Sequence, residues 1–178
     1  MDNNTPYTSG KVEAAMNGMT ALNAAREVGM LLSATGLSLA VTESATGGLI
    51  SQLITSIPGS SRYFLGGVTA YDNRIKTSLL RVRPETLMTF GAVSSQVAEE
   101  MAEGGLRLLA ADICVSDTGI AGPGGGTLDK PVGLFYLGLA EGNLVFSRRY
   151  VFSGTRRQTR QQAAMAAVTW LRDYLTNR

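Results

Sequence analysis

The chain of 178 residues contains no histidine and only one cysteine. Without an imidazole there is no Ser-His-Asp triad, no histidine-ligated zinc and no histidine general base. A single thiol cannot close an internal disulfide or build a thiolate zinc site. Acid–base work near neutral pH therefore falls to a carboxylate, a tyrosine, the cysteine or a lysine with a perturbed pKa. Charge is also sparse, at 17% of residues with a net of +2, so no basic footprint points to nucleic acid. No apolar run approaches a membrane span, and the N-terminus lacks the basic and apolar regions of a signal peptide. These absences predict a cytoplasmic protein that binds neither membrane nor nucleic acid and needs no metal or other cofactor. Cys114 sits in the apolar run Asp112-Ile113-Cys114-Val115 and reads as a buried, inert thiol.

Glycine, by contrast, is plentiful at 21 residues, and 44% of the chain is hydrophobic, a composition of tight turns around a core. Residues 1–18 are small and polar without periodicity and read as a flexible arm. Residues 19–178 read as a single domain. Helical spacing runs from Thr20 to the stop at Gly36, from Leu49 to Ile57, and from Asn73 to Leu80. Pro84 opens a further helix that Gly91 ends, and Ser94 caps another through Leu109. The last helix spans Gly154 to Leu175. Leu37–Thr42 and Asp112–Ser116 read as buried strands, and Phe64–Tyr71 as a third. Val132–Ala140 and Leu144–Phe152 flank Glu141-Gly142-Asn143 as an antiparallel hairpin. The order predicts an α/β fold, a three-layer α/β/α sandwich with a mixed sheet.

Four constellations carry candidate chemistry. Thr42-Glu43-Ser44-Ala45-Thr46-Gly47-Gly48 joins a strand to a helix. There Ser44 would meet unpaired backbone N–H groups and the positive end of the helix dipole, donors fit for a phosphate or an oxyanion. The plainer alternative makes Ser44 or Thr46 a helix N-cap. In Tyr71-Asp72-Asn73-Arg74-Ile75-Lys76, a desolvated Lys76 could shed its proton and act as a base. The alternative is a solvated lysine on a helix capped by Asn73. Thr118 to Gly126 follows a buried strand, where α/β sheets place ligand loops, and its glycines can converge N–H groups on an anion. It matches neither a Walker loop nor a dinucleotide fingerprint, and a merely flexible connection is the alternative. Arg156, Arg157 and Arg160 stand at the start of the last helix, against the dipole preference, so a compensating anion or plain surface charge are both open.

Several of these motifs, in order and spacing, resemble the CinA C-terminal domain family over roughly residues 20–176. They are Thr42 to Gly48, Pro58-Gly59-Ser60-Ser61, Tyr71-Asp72-Asn73, Gly91-Ala92-Val93-Ser94, Gly119-Ile120-Ala121-Gly122-Pro123, Gly125-Gly126 and Lys130-Pro131-Val132-Gly133. Two departures stand out: Ala45 where the family commonly has cysteine, and Gly124 where an acidic or polar residue is usual. The resemblance implies hydrolysis of the carboxamide of nicotinamide mononucleotide to nicotinate mononucleotide and ammonia. It implies Ser44, Tyr71 and Lys76 as catalytic residues. Thr46, Gly47, Gly48, Asn73, Thr118, Gly122, Gly124, Gly125 and Arg156 follow as substrate-binding residues, with the glycine loop and Arg156 gripping the phosphate. Further expectations are a stand-alone domain, a small nucleotide substrate and a homodimer. The alternative function is a catalytically silent nucleotide-binding or regulatory module of the same family.

Overall fold

The computed structural model describes residues 18–178. Helix α1 (Gly18–Thr35) leads into strand β1 (Leu39–Glu43), then α2 (Leu49–Thr55), a 3₁₀ turn (Ser60–Arg62) and β2 (Phe64–Thr69). Two short helices, α3 (Asn73–Ser78) and α4 (Pro84–Phe90), precede α5 (Ser95–Leu109) and β3 (Ile113–Gly119). The hairpin β4 (Leu134–Glu141) and β5 (Leu144–Val151) and the long α6 (Arg156–Thr176) complete the chain. Gly18 is therefore helical, and the rest of the expected arm lies outside the described residues.

The sheet runs β2-β1-β3-β4-β5. β1 pairs in parallel with β2 and β3, whereas β3–β4 and β4–β5 are antiparallel, so the sheet is mixed as the pattern predicts. Helices α1, α2 and α6 cover one face, where Val28, Leu32, Ile50, Ile54, Ala163 and Leu171 pack against Leu39, Val41 and Val115. Helix α5 covers the other face, with Val97 and Met101 beside Ala70, Leu80 and Val82. The three layers explain why β1 and β3 read as unbroken buried runs: both faces of each are covered.

Three expected boundaries shift for local reasons. Glu43, read as part of a turn, ends β1, because Glu43 stays in register with Thr69 of β2. β3 continues past Ser116 to Gly119, drawn on by its ladder with Phe135 to Glu141. The cap of α3 is Asp72, whose side chain accepts from the Arg74 N–H, and not Asn73. By contrast, Ser94 caps α5 as expected, accepting from the Val97 N–H.

After β1 the chain moves to β2 on one side and later returns to β3 on the other side. The carboxyl end of β1 is thus a switch point, the crevice where open α/β sheets take ligands. Close packing of α5 keeps this end compact. A Cβ on Gly104 would overlap the Leu80 carbonyl, and one on Gly138 of β4 the Ala98 carbonyl. Gly104→Ala should therefore destabilise the fold by about 1–3 kcal/mol, as overpacking against unyielding backbone does. Thermal unfolding should show this as a fall of roughly 2–4 °C per kcal/mol, and an unchanged melting temperature would contradict the close approach.

Candidate active site

The turn after β1 is built from two buried carboxylates. Glu43 folds back beneath it. Its Oε2 accepts from the Thr46 hydroxyl at 2.7 Å, the Gly48 N–H at 2.7 Å and the Ile50 N–H at 3.1 Å. Its Oε1 accepts from the N–H and hydroxyl of Ser51 at 2.9 and 2.7 Å. Asp117, from β3, accepts the N–H groups of Ser44, Ala45 and Thr46 at 3.0, 3.0 and 3.2 Å and also contacts the Thr46 hydroxyl. From above, Arg160 of α6 donates to the carbonyls of Ala45 and Thr46 at 2.9 and 2.6 Å. Carboxylates below and a guanidinium above fix both polarities of the turn backbone.

This arrangement corrects the reading of the Ser44 loop. The N-cap of α2 is Gly48, in a left-handed conformation and without a side-chain cap, so neither Ser44 nor Thr46 is the cap. The backbone donors of Thr46 and Gly48, expected to hold an oxyanion, are engaged by Asp117 and Glu43. Thr46 is fully buried, and Gly47 lies outside the cleft lining. These residues shape the turn that presents Ser44.

Lys76 is 2% exposed, which overturns the solvated-lysine alternative. Its Nζ donates to the Tyr71 carbonyl at 3.2 Å. Burial pushes the Lys76 ammonium below the usual lysine range, against the partial restoring pull of Asp117 and Asp72. Tyr71 lies just beyond β2 and its ring is largely exposed. Its hydroxyl accepts from Arg156 Nη2 at 2.8 Å, and Arg156 Nη1 donates to the Gly122 carbonyl at 2.9 Å. Arg156 opens α6 behind Thr155, whose side chain completes a capping box with Gln158. One arginine therefore ties the tyrosine to the glycine loop.

A cleft of about 220 Å³ brings Ser44, Tyr71, Asn73, Lys76, Thr118 and Arg156 together. The Thr118 hydroxyl donates to the Ala92 carbonyl at 2.7 Å and so braces the connection between α4 and α5. Gly122 reaches the site through its carbonyl, while Gly124 and Gly125 are exposed and do not line the cleft. Lys130 donates to the Phe90 and Val93 carbonyls at 2.5 and 2.7 Å. Among the described residues, no three Cys, Asp or Glu side chains gather into a metal-ligating group. No helix among them is long and apolar enough to cross a membrane.

Sequence reasoning passed over Glu43 and Asp117 as functional candidates. Asp117 did carry a signal, since a carboxylate within the apolar run from Ile113 is buried only with dedicated partners. Burial pushes its carboxyl up to about 6, and Glu43 beside it adds to the rise, while the bonds from Thr46 and the Ser44 and Thr46 N–H groups oppose it.

The buried lysine yields a stability test. Its folded pKa is depressed, so the unfolded chain binds the extra proton, and native stability rises with pH between the folded and unfolded values. Lys76→Met replaces the ammonium with an apolar group of similar length. This variant should melt at or above the native temperature at pH 6–7, and its advantage should shrink as pH climbs toward about 10, the ordinary lysine value. Calorimetry across that range checks the sign, and a strongly destabilised variant at neutral pH would contradict it.

The model of the CinA C-terminal domain matches residues 21–175. A CinA-like protein of Desulfotalea psychrophila is 50% identical over 148 residues, which are 83% of this chain and 36% of that protein. One of Thermotoga neapolitana is 49% identical over 148 residues, again 83% of this chain and 36% of the relative. The chain thus spans about a third of the length of these relatives. Among solved structures, the competence/damage inducible protein CihA of Agrobacterium tumefaciens superposes with a TM-score of 0.84 at 39% identity, covering 88% of this chain and 95% of that one. A CinA superfamily protein of Klebsiella pneumoniae gives 0.85 at 29% identity, covering 89% and 99%. With the match running from α1 nearly to the end of α6, the chain belongs to the CinA C-terminal domain family.

Proposed function

We propose that the cleft hydrolyses a carboxamide, that of nicotinamide mononucleotide, to nicotinate mononucleotide and ammonia. The observation that carries this reading is the buried Lys76, with its ammonium disfavoured by burial, in the same cleft as Ser44 and Tyr71. A neutral lysine is a competent base for a serine hydroxyl where no imidazole exists.

In the proposed sequence, Ser44 Oγ attacks the amide carbon while its proton passes to Lys76 Nζ. The C–N bond of the tetrahedral intermediate then breaks, and the amide nitrogen leaves as ammonia with the proton from Lys76. Water attacks the resulting ester, Lys76 takes its proton, and the acid product departs as Ser44 regains a proton. The oxyanion falls to side-chain donors of the cleft, the Tyr71 hydroxyl and the Asn73 amide, because the Thr46 and Gly48 amides are already engaged. Arg156 orients Tyr71 and, with five N–H donors in its fork, keeps others for a substrate phosphate. The exposed Gly124 and Gly125 lie on the loop that Arg156 tethers and complete a phosphate site only if the substrate extends past the cleft. A homodimer is part of this proposal and is read out by light scattering.

Removing the nucleophile is the direct test. Ser44→Ala should abolish ammonia release from nicotinamide mononucleotide, by several orders of magnitude as for other nucleophile deletions, with the melting temperature unchanged. Native-like turnover by this variant would overturn the covalent route. Absence of ammonia from the native protein, with nucleotide binding retained, would favour a silent binding module.

The phosphate gives a second test. Two charge-assisted contacts at ~1.5–3 kcal/mol each should make nicotinamide riboside about a hundredfold or more poorer in kcat/KM. Equal efficiencies for riboside and nucleotide would remove the phosphate from the recognition scheme.

A further inference from the structure

The Thr46 hydroxyl lies within hydrogen-bonding distance of two carboxylate oxygens, Glu43 Oε2 and Asp117 Oδ1. A hydroxyl carries one proton, so it can donate to only one of them. The other contact is a hydrogen bond only if that carboxyl carries a proton and donates it to Thr46 Oγ1. Both side chains are essentially without solvent contact, so no water relieves a bare contact between oxygens.

The surroundings decide which group holds the proton. Glu43 Oε2 already accepts the N–H groups of Gly48 and Ile50 besides the hydroxyl, and Oε1 accepts two donors from Ser51. Four donors besides the Thr46 hydroxyl are directed at Glu43, so its oxygens have little room for a proton of their own. Asp117 Oδ2 accepts the Ala45 and Thr46 N–H groups, whereas Oδ1 has one backbone donor, the Ser44 N–H, besides its contact with the Thr46 hydroxyl, and its lone pair facing Thr46 can carry a proton. We propose that Asp117 is a positioning residue that, when protonated at Oδ1, bridges through the Thr46 hydroxyl to Glu43 and fixes the turn that carries Ser44. The chain of donors then runs from Asp117 to Thr46 to Glu43, every proton directed at a lone pair.

Ionising Asp117 would set two buried anions on either side of one hydroxyl. An ionised Asp117 favours the charged form of Lys76, a pull that a protonated Asp117 does not exert. The other charged group on the turn, Arg160 of α6, is bonded to the Ala45 and Thr46 carbonyls. Asp117 thus couples the geometry of the Ser44 turn to the charge of Lys76. This consequence rests on the proposed roles of Ser44 and Lys76, whereas the location of the proton does not.

The proton is directly measurable without substrate. The aspartates of the chain are Asp2, Asp72, Asp112, Asp117, Asp129 and Asp173. Carbon-13 labelling of their carboxyl groups in the full-length protein gives separate titration curves by NMR. One curve should have its midpoint near 6, and it should be missing from Asp117→Asn. Asparagine supplies a donor to Thr46 Oγ1 but cannot accept the Ser44 N–H at the same position, a cost that does not vary with pH and so leaves the pH slope unaffected. In the native protein the folded state takes up this proton between the unfolded value, near 3.8, and about 6, so its stability falls as pH rises across that window. The melting temperature of Asp117→Asn minus that of the native protein should accordingly increase from pH 4 to 6 and level off above. If every aspartate of the native protein titrates at or below pH 4, the proposal is overturned, whether or not the variant folds. A midpoint near 6 that survives in Asp117→Asn would overturn it equally. Neither outcome depends on ammonia release, so failure of the deamidase reading is distinguishable from failure of this one.

Discussion

The site depends on two carboxylates that take the place of water beneath one turn. Between Ser44 and Ser51 the chain leaves β1 and enters α2, and its backbone N–H groups have no sheet or helix partner of their own. Glu43 and Asp117 accept six of them, those of Ser44, Ala45, Thr46, Gly48, Ile50 and Ser51. A buried backbone donor left without an acceptor costs ~1–3 kcal/mol. The turn therefore has one low-energy arrangement, and Ser44 is held in it at the rim of the cleft. The acceptors come from neighbouring parallel strands, so the pairing of β1 with β3 must be in register before the turn can form.

Lys76 stands in tension with that polar foundation. The short helix α3 buries a long cation on a cap set by Asp72, and its ammonium donates to the Tyr71 carbonyl. Such a group is costly to the fold and useful to chemistry for the same reason: burial disfavours its charged form. Tyr71, held by Arg156, and the glycine loop, held by the same guanidinium, close the site from the side of α6. Three separate parts of the chain are thereby tied at one place, after β2, after β3 and at the start of α6.

Much of the fold was legible because periodicity reports burial. Helical spacing placed α1, α2 and α3, Pro84 with Gly91 and the Ser94 cap placed α4 and α5, and the turn residues at Glu141-Gly142-Asn143 placed the β4–β5 hairpin. Capping chemistry was legible where one residue dominated, as at Ser94, and misread where two candidates adjoined, as at Asp72 and Asn73. The motif around Ser44 is visible in the sequence, which by itself suggests its glycines and threonine as donors to a ligand. In the folded protein the Thr46 and Gly48 N–H groups face inward, to Asp117, 71 residues away in sequence, and to Glu43.

By itself the sequence determined the class of fold, the family and the reagents available: no imidazole, one buried thiol, and a serine, tyrosine and lysine in suggestive company. Those follow from composition and from local spacing, which need no knowledge of what packs where. Tertiary structure alone decided that Lys76 is buried, that Arg160 fastens the Ser44 turn and that Asp117 supports it. A side chain's charge, partners and desolvation depend on groups remote in sequence, and only the closing of the sheet brings those groups within hydrogen-bonding distance.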